Sequence, residues 1–429
     1  MANQLEPDRQ GRSRSRDLSG SQLTESAPKT LSLILRFLSR SFAFLGYAIG
    51  VTILVAAFLE FAAWSIWKVH PFTRQAELEN QIASPVYAGQ EWAPEFWEEE
   101  SLRRKKPTIY VPFRVWSVTD WHSKYINNDR GVSGVWRRTL NPTNCDPVHR
   151  TTVWTFGGST MYGTAVPDWA TIPSYLSRDL NTGSGACIVV SNFGVEGYVS
   201  DQELILLGEQ LKAGGRPDIV IFYDGVNDSS LAWAPLGSPN AHFVYATVKG
   251  RVEGSLSARL DFLQKSYALR LLREIAARLH PASSIAPLIA RQQPNVASTF
   301  NNYVANLQLA RALSEAYKFK LYCFWQPMLV YGHKPLVPFE QQMADRDLSG
   351  RSPDSAWFLT MIAVYREAEP HAAEHASFVF LADLFDSVPE PLYVDEAHLG
   401  PRGNELVARA IAAYMHDHPE GSKTKDSKP

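Results

Sequence analysis

Cysteine is scarce in this chain. Cys145, Cys187 and Cys323 are three in 429 residues, too few and too scattered for a disulfide framework or a zinc site. The expectation is isolated, small buried residues. One bridge is left open, between Cys145 and Cys187, because each stands just before a strand-like run. A surplus of one charge is also missing: 42 basic residues face 44 acidic ones, for a net charge of −2. Nothing in that balance suggests a nucleic-acid partner. There is no internal repeat. The Gly-x-Ser-x-Gly elbow of α/β-hydrolases is absent around Ser159, and "GGSTMYGT" lacks the lysine of a Walker phosphate loop. Apolar residues (45%) and aromatics (12%) are plentiful, which excludes a disordered chain.

The longest hydrophobic run lies near the N-terminus. "FAFLGYAIGVTILVAAFL", residues 42–59, carries no charge, and after Glu60 the apolar character returns in "FAAWSIW". That length crosses a hydrocarbon core of about 30 Å, with Trp64 and Trp67 at an interface and Glu60 near one edge. A cleaved signal peptide fits poorly, because a long polar segment precedes the run and no small-x-small cleavage site follows. Arg9, Arg12, Arg14, Arg16, Lys29, Arg36 and Arg40 precede the span, whereas Lys68 and Arg74 follow it closely. The bias predicts a cytoplasmic N-terminus and a single-pass inner-membrane protein with its large C-terminal part in the periplasm or outside the cell.

The division that follows is a disordered tail over 1–41, a transmembrane helix over 42–67 that engages the bilayer, and an aromatic-rich extension over 68–150. A catalytic domain over 151–417 and a polar tail over 418–429 complete it. The extension carries "EEESLRRKK" and turn residues around short aromatic runs, which predicts hairpins packed on the main domain. From residue 151 strand and helix signals alternate. "TVWTFG", "CIVVSNFG", "DIVIFYDG", "KLYCFWQP" and "ASFVFLADLF" are the strands. Helices are predicted in "IPSYLSRDL", "SDQELILLGEQLKAGG", "AWFLTMIAVYREAE" and "PRGNELVARAIAAYMH". A helix-prone insertion spans 229–318. Continuous apolar strands separated by helices imply a parallel sheet covered on both faces.

In such sheets the ligand site lies beyond the carboxyl ends of the strands. Gly157-Gly158-Ser159-Thr160 follows the first strand, Asn192-Phe193-Gly194 the second and Asp224-Gly225-Val226-Asn227-Asp228 the third. Asp395-Glu396-Ala397-His398 precedes the last helix. Acyl transfer through serine needs a hydroxyl, a base in reach, a group orienting that base, and donors for an oxyanion. Ser159, His398 and Asp395 offer the first three. Asp395, one helical turn before His398, can hold the useful tautomer. The N–H groups of Ser159 and Gly194 and the amide of Asn227 offer the donors. Each piece alone is weak: Gly-Gly-Ser after a strand is commonly a turn. Their joint occurrence at one sheet edge carries the argument.

These four blocks, GGST, N-x-G, G-x-N-D and D-x-x-H, resemble those of the SGNH/GDSL hydrolase superfamily over residues 151–416, in its membrane-anchored bacterial type. GGST stands where the family's name has GDS(L), which leaves subfamily and substrate open. The resemblance implies a three-layer α/β/α fold with a mainly parallel, flavodoxin-like five-stranded sheet. It also implies Ser159, Gly194, Asn227 and His398 as block residues, and no cofactor and no metal. The expected activity is hydrolysis of short-chain acyl esters through an acyl-enzyme, including O-acetyl groups on carbohydrate. Transfer of the acyl group to a polysaccharide shares the first half-reaction, with polysaccharide-export or acylation proteins as partners. Trp233, Phe243 and Tyr245 of the insertion are candidate substrate contacts, although they serve equally well as packing.

Three competing readings remain. "HAAEH", His371 to His375, matches the H-x-x-E-H of inverted zinc proteases but has no obvious third ligand. Asp224, Asp228, Asp395 and Glu396 could gather as a magnesium site for phosphoester hydrolysis. A non-catalytic membrane-anchored binding module is the last, and an intact Ser/Asp/His set argues against it.

Overall fold

A computed structural model describes residues 27–69, 81–131, 134–146, 149–183, 187–233, 241–255, 265–279, 286–349, 353–375 and 378–421. The chain divides into two compact units. One comprises Met1–Val69 with Ser266–Leu271, and the other the rest.

In the first unit a single helix runs from Ala27 to Val69. Residues 27–41, expected in the disordered tail, are therefore helical; residues 1–26 lie outside the described residues. The stretch Leu31–Ile66 has a mean hydropathy of 2.3 over its most apolar window and is long enough to cross a membrane. Glu60 accepts from Ser266 Oγ (2.7 Å), Tyr267 N (2.6 Å) and Ala268 N (3.2 Å). Its carboxylate thereby satisfies amide donors at the start of helix Tyr267–Leu279.

The second unit is built on a sheet. Among the described residues its strands are, in chain order, β1 (Ile109–Val111), β2 (Val115–Ser117), β3 (Trp121–His122), β4 (Asn127–Gly131), β5 (Gly134–Arg137), β6 (Arg150–Gly157), β7 (Cys187–Asn192), β8 (Ile219–Asp224), β9 (Lys320–Trp325) and β10 (Val379–Phe380). β1 and β2 form a separate antiparallel ladder, and the other eight lie in the order β10-β9-β8-β6-β7-β5-β4-β3. The strands β10, β9, β8, β6 and β7 are parallel to one another, in the flavodoxin-like order that the resemblance implies. The expected five strands are joined by three antiparallel ones from the extension, through the pair Arg137↔Asn192. The expected hairpin is there, β4 with β5, but it lengthens the sheet.

Side chains alternate along the central strands between two cores. Ile221, Tyr223, Tyr322 and Phe324 face helices Ile172–Asn181 and Pro401–Asp417. Val220, Phe222, Leu321, Cys323 and Trp325 face the core that includes Leu206, Phe300, Tyr303 and Met361. Burial on both faces is why these strands read as unbroken apolar runs. Phe300, Tyr303, Leu307 and Ala310 belong to helix Ala286–Tyr317 and are buried in that core. The C-terminal part of the expected insertion is therefore the crossover helix from β8 to β9 and not an appendage. Helix Tyr245–Val252, by contrast, buries no residue.

The cysteine expectation needs correcting. Cys145 and Cys187 form a disulfide, with Cα atoms 5.4 Å apart and 42 residues of separation, and only Cys323 is a free buried thiol. The bond ties the loop before β6 to the first residue of β7. Closing a loop of that length in the unfolded chain is worth about 4 kcal/mol. The double variant Cys145→Ser/Cys187→Ser should therefore melt several degrees lower than the parent in the same detergent, and an unchanged melting temperature would refute a stabilising role.

Candidate active site

Ser159 is the second residue past β6, after Gly158, and opens the short helix Ser159–Tyr162. The residue before it must be glycine on steric grounds. A Cβ on Gly158 would lie 2.1 Å from Asn227 Nδ2 and 3.3 Å from Tyr198 O. The nucleophile loop thus sits directly against the ends of β7 and β8, as the strand-end rule predicts.

The structure brings together the three residues singled out for acyl transfer. His398 Nε2 is 2.7 Å from Ser159 Oγ. His398 Nδ1 is 2.9 Å and 2.7 Å from the two Asp395 carboxylate oxygens. An ionised carboxylate only accepts, so Nδ1 carries the ring proton and Nε2 is left to accept from the serine hydroxyl. Asp395 is placed by a hydrogen-bonded loop and not by the helical turn expected. Its Oδ1 accepts from Ala397 N (3.0 Å) and His398 N (2.8 Å), and Val394 N donates to His398 O at 2.8 Å.

Burial of Asp395 opposes its ionisation, but the His398 charge, its ring N–H and the two backbone N–H groups outweigh this and hold the carboxyl down at about 2. Burial pulls His398 down in turn. The Asp395 charge and hydrogen bond, with Glu396 and Glu196 adding to them, raise it above the usual imidazole value.

Two of the expected oxyanion donors are available. Among the described residues Ser159 N has no backbone acceptor. Asn227 Nδ2 donates to Tyr198 O at 2.8 Å, which fixes the amide and leaves its second N–H. Gly194 is different: its N–H goes to Asn192 Oδ1 at 2.9 Å, and a Cβ there would strike Tyr162 N at 2.4 Å. It is a close-packing residue. Gly197, three residues on, has φ +77° and an N–H with no acceptor among the described residues. Sequence reading missed it because "NFGVEGY" holds two glycines, and only the fold shows which N–H is already committed.

Ser159, Asn227 and His398 open onto a cavity of about 80 Å³, completed by Thr160, Val226, Ser230, Phe243, Gln326, Trp357, Glu396 and Ala397. Of the three aromatic contacts named from the sequence, only Phe243 reaches it. Tyr245 packs with Val199, Leu231 and Ala241, and Trp233, half-buried, does not line it. Trp357 and Gln326 were missed. Gln326 is the residue after β9, where the strand-end rule could have found it, and it accepts from Thr160 Oγ1 at 3.2 Å. Trp357 reads as one more apolar residue of a buried helix.

Comparison with known proteins gives no matching family model and no matching curated relative. Solved structures give several likenesses. A lipolytic protein of the G-D-S-L family from Veillonella parvula is 12% identical, with 62% of this chain and 98% of that one covered, at a TM-score of 0.34. An acetyl xylan esterase, AlAXEase, is 13% identical over 61% and 98%, at 0.32. The acetylxylan esterase Axe2 of Geobacillus stearothermophilus is 13% identical over 61% and 93%, at 0.30.

The competing metal readings find little geometry. Of the four carboxylates only Glu396 lines the cavity, and Asp224 and Asp228 lie away from it. They are buried with Glu203, and burial raises all three carboxyls; repulsion from Asp224 and Asp228 adds to it at Glu203, from Asp228 at Asp224, and from Asp201 at Asp228, which is raised to about 7. Asp228 spends its oxygens on Ser200 N and Oγ. Of "HAAEH", His371 stacks on Phe378 and meets Phe300 edge-on, while the side chains of Glu374 and His375 lie outside the described residues.

Proposed function

We propose that this chain is a membrane-anchored serine esterase of the SGNH type, acting on short acyl esters. The chain of hydrogen bonds from Ser159 through His398 to Asp395 carries the reading. Ser159 Oγ attacks the ester carbonyl carbon while His398 Nε2 takes the hydroxyl proton, and Asp395 stabilises the imidazolium that results. The carbonyl electrons move to oxygen, which rests among Ser159 N–H, Asn227 Nδ2–H and Gly197 N–H, the last replacing Gly194. Collapse expels the alcohol, protonated by His398. Water, deprotonated by the same imidazole, then attacks the acyl-enzyme and releases the acid and Ser159. Every proton moves between Ser159, His398, substrate and water, so the cycle needs no further group.

The cavity supports a short acyl group. A cavity of about 150 Å³ holds benzene, so about 80 Å³ suits roughly three heavy atoms, the size of an acetyl group. Trp357 and Phe243 wall it. Trp357→Ala should raise activity on 4-nitrophenyl octanoate relative to 4-nitrophenyl acetate by about tenfold, by freeing room for several methylenes; an unchanged ratio would remove Trp357 from the acyl wall. The disulfide and the apolar helix together support a catalytic unit held on the oxidising side of a membrane.

The test is hydrolysis of 4-nitrophenyl acetate by the full chain in detergent. Loss of activity with a fluorophosphonate and survival in a chelator support the serine route. The reverse pattern would support the metal-dependent phosphoesterase.

A further inference from the structure

We infer that the N-terminal extension is part of the catalytic apparatus, with Trp116 and Arg103 as positioning residues for the turn that presents the oxyanion donors. This rests on the serine-esterase reading above and goes beyond it by giving residues 85–117 a task. The turn in question is Val195–Tyr198. Its Gly197 N–H has no acceptor among the described residues, and its Tyr198 carbonyl holds the Asn227 amide at 2.8 Å.

The turn has little means of holding itself. Within it, the only backbone hydrogen bond among the described residues is Tyr198 N to Val195 O, 3.0 Å, with Val195 N reaching Gly157 O at 3.0 Å. Gly197, at φ +77°, adds backbone freedom in place of a side chain to pack.

The extension supplies the rest, from two directions. Trp116, on β2, donates its Nε1–H to the Glu196 carbonyl at 2.9 Å, so the peptide whose N–H is Gly197's is held at its other end. The Trp116 ring lies 3.4 Å from where a Gly197 Cβ would stand and meets the Tyr198 ring edge-on at 5.6 Å. The Tyr198 hydroxyl donates to the Trp116 carbonyl and accepts from Arg114 at 2.8 Å.

Arg103 ends helix Ala93–Arg103 and grips the Glu196 carboxylate with both terminal nitrogens, at 2.9 Å and 2.8 Å. Glu100 holds the same guanidinium at 2.6 Å and 2.8 Å, and Thr164 adds a bond to Glu196 at 2.9 Å. Such a forked pairing, buried on the Arg103 side and half-buried at Glu196, fixes angle as well as distance. Both neighbours of the Gly197 N–H are therefore clamped by residues that never touch substrate. An oxyanion donor works through preorganisation, so loosening its turn weakens binding of the transition state more than binding of the ester.

The test uses the full chain in detergent with 4-nitrophenyl acetate, in the variants Trp116→Phe and Glu196→Gln. The first removes one N–H and keeps a ring. The second keeps the shape and breaks the charged fork. Loss of a whole oxyanion donor costs about 10² to 10³ in kcat; the displaced turn should cost roughly tenfold or more. KM should stay within about twofold, and in Trp116→Phe the acid limb of kcat/KM should match the parent's, because the Ser159–His398–Asp395 chain is untouched; in Glu196→Gln, which removes a charge that helps raise His398, that limb should move to lower pH. A merely structural role would lower the melting temperature and the active fraction without changing kcat per active site, counted by fluorophosphonate titration. Parental kcat per active site in both variants would overturn the inference, as would a rise in KM with kcat unchanged. Should Trp116→Phe fail to fold, Trp116→Tyr with Glu196→Gln decides by the same criteria. Parental activity in Ser159→Ala would instead sink the serine reading, which separates the two failures.

Discussion

Ser159→Ala should lower kcat for 4-nitrophenyl acetate by about 10⁴-fold or more, with folding intact. The hydroxyl sits 2.7 Å from His398 Nε2 and is the atom that would bond to the acyl carbon. In serine hydrolases the nucleophile and base act as a unit, and removing either leaves only what the oxyanion donors and binding contribute, roughly 10³ to 10⁴ over water. His398→Ala should fall as far, and the double variant little further. Ser159 side-chain loss leaves only a small gap at a cavity wall, so the melting temperature should stay close to the parent's. A fall of less than about tenfold would mean that another group carries the attack. Summed losses in the double variant would mean that Ser159 and His398 work separately.

The second large effect is at Asp395. Asp395→Asn should cost about 10³ to 10⁴ in kcat, because an amide can donate to Nδ1 and favour the wrong tautomer. It also changes the pH profile, with a definite sign. His398 must be neutral to take the serine proton. The Asp395 charge raises the imidazole above its usual 6.5 against the opposing effect of burial. The kcat/KM of the parent should therefore fall as pH drops through a midpoint above 6.5. In Asp395→Asn that midpoint should move to lower pH, leaving a slower enzyme that tolerates acid better. Asp395 itself, held at about 2, stays charged throughout. A parent midpoint below 6.5, or a midpoint unmoved in the variant, would contradict this coupling. A pH–rate series on both proteins measures it.

Much of this site is legible in the chain itself. Parallel strands buried on both faces give unbroken apolar runs, so β6, β7, β8 and β9 stand out, and their ends carry Ser159, Asn192, Asp224 and Gln326. The loop holding Asp395 and His398 precedes a helix marked by Pro401. What could not be read depended on partners distant in sequence. β3, β4 and β5 are two to five residues long, and "NNDRG" is polar; its first two residues are buried through Tyr162, Asp168 and Thr119 and not through their own pattern. Cys145 and Cys187 sit 42 residues apart along the chain, and nothing local shows that their Cα atoms stand 5.4 Å apart. β10 shrinks from a ten-residue apolar segment, "ASFVFLADLF", to Val379–Phe380, because hydrophobicity there serves packing and not pairing. The choice between Gly194 and Gly197 turned on one hydrogen bond to Asn192.

The extension carries the wider lesson. Its aromatic and charged residues read as hairpins packed on the main domain with no stated role, and Arg103, Arg114 and Trp116 converge on one turn of the catalytic unit. Val86 meets the His398 loop as well, standing 2.0 Å from where a Gly400 Cβ would lie. Residues outside the four recognisable blocks thus pack against the segments that follow two of them.

The most direct measurement is intact-peptide mass spectrometry of the full chain after reaction with a fluorophosphonate. One adduct per chain, on the peptide bearing Ser159, formed far more slowly in His398→Ala, is the predicted result. Adducts on a different residue, or labelling of Ser159 at the same rate without the imidazole, would contradict the account.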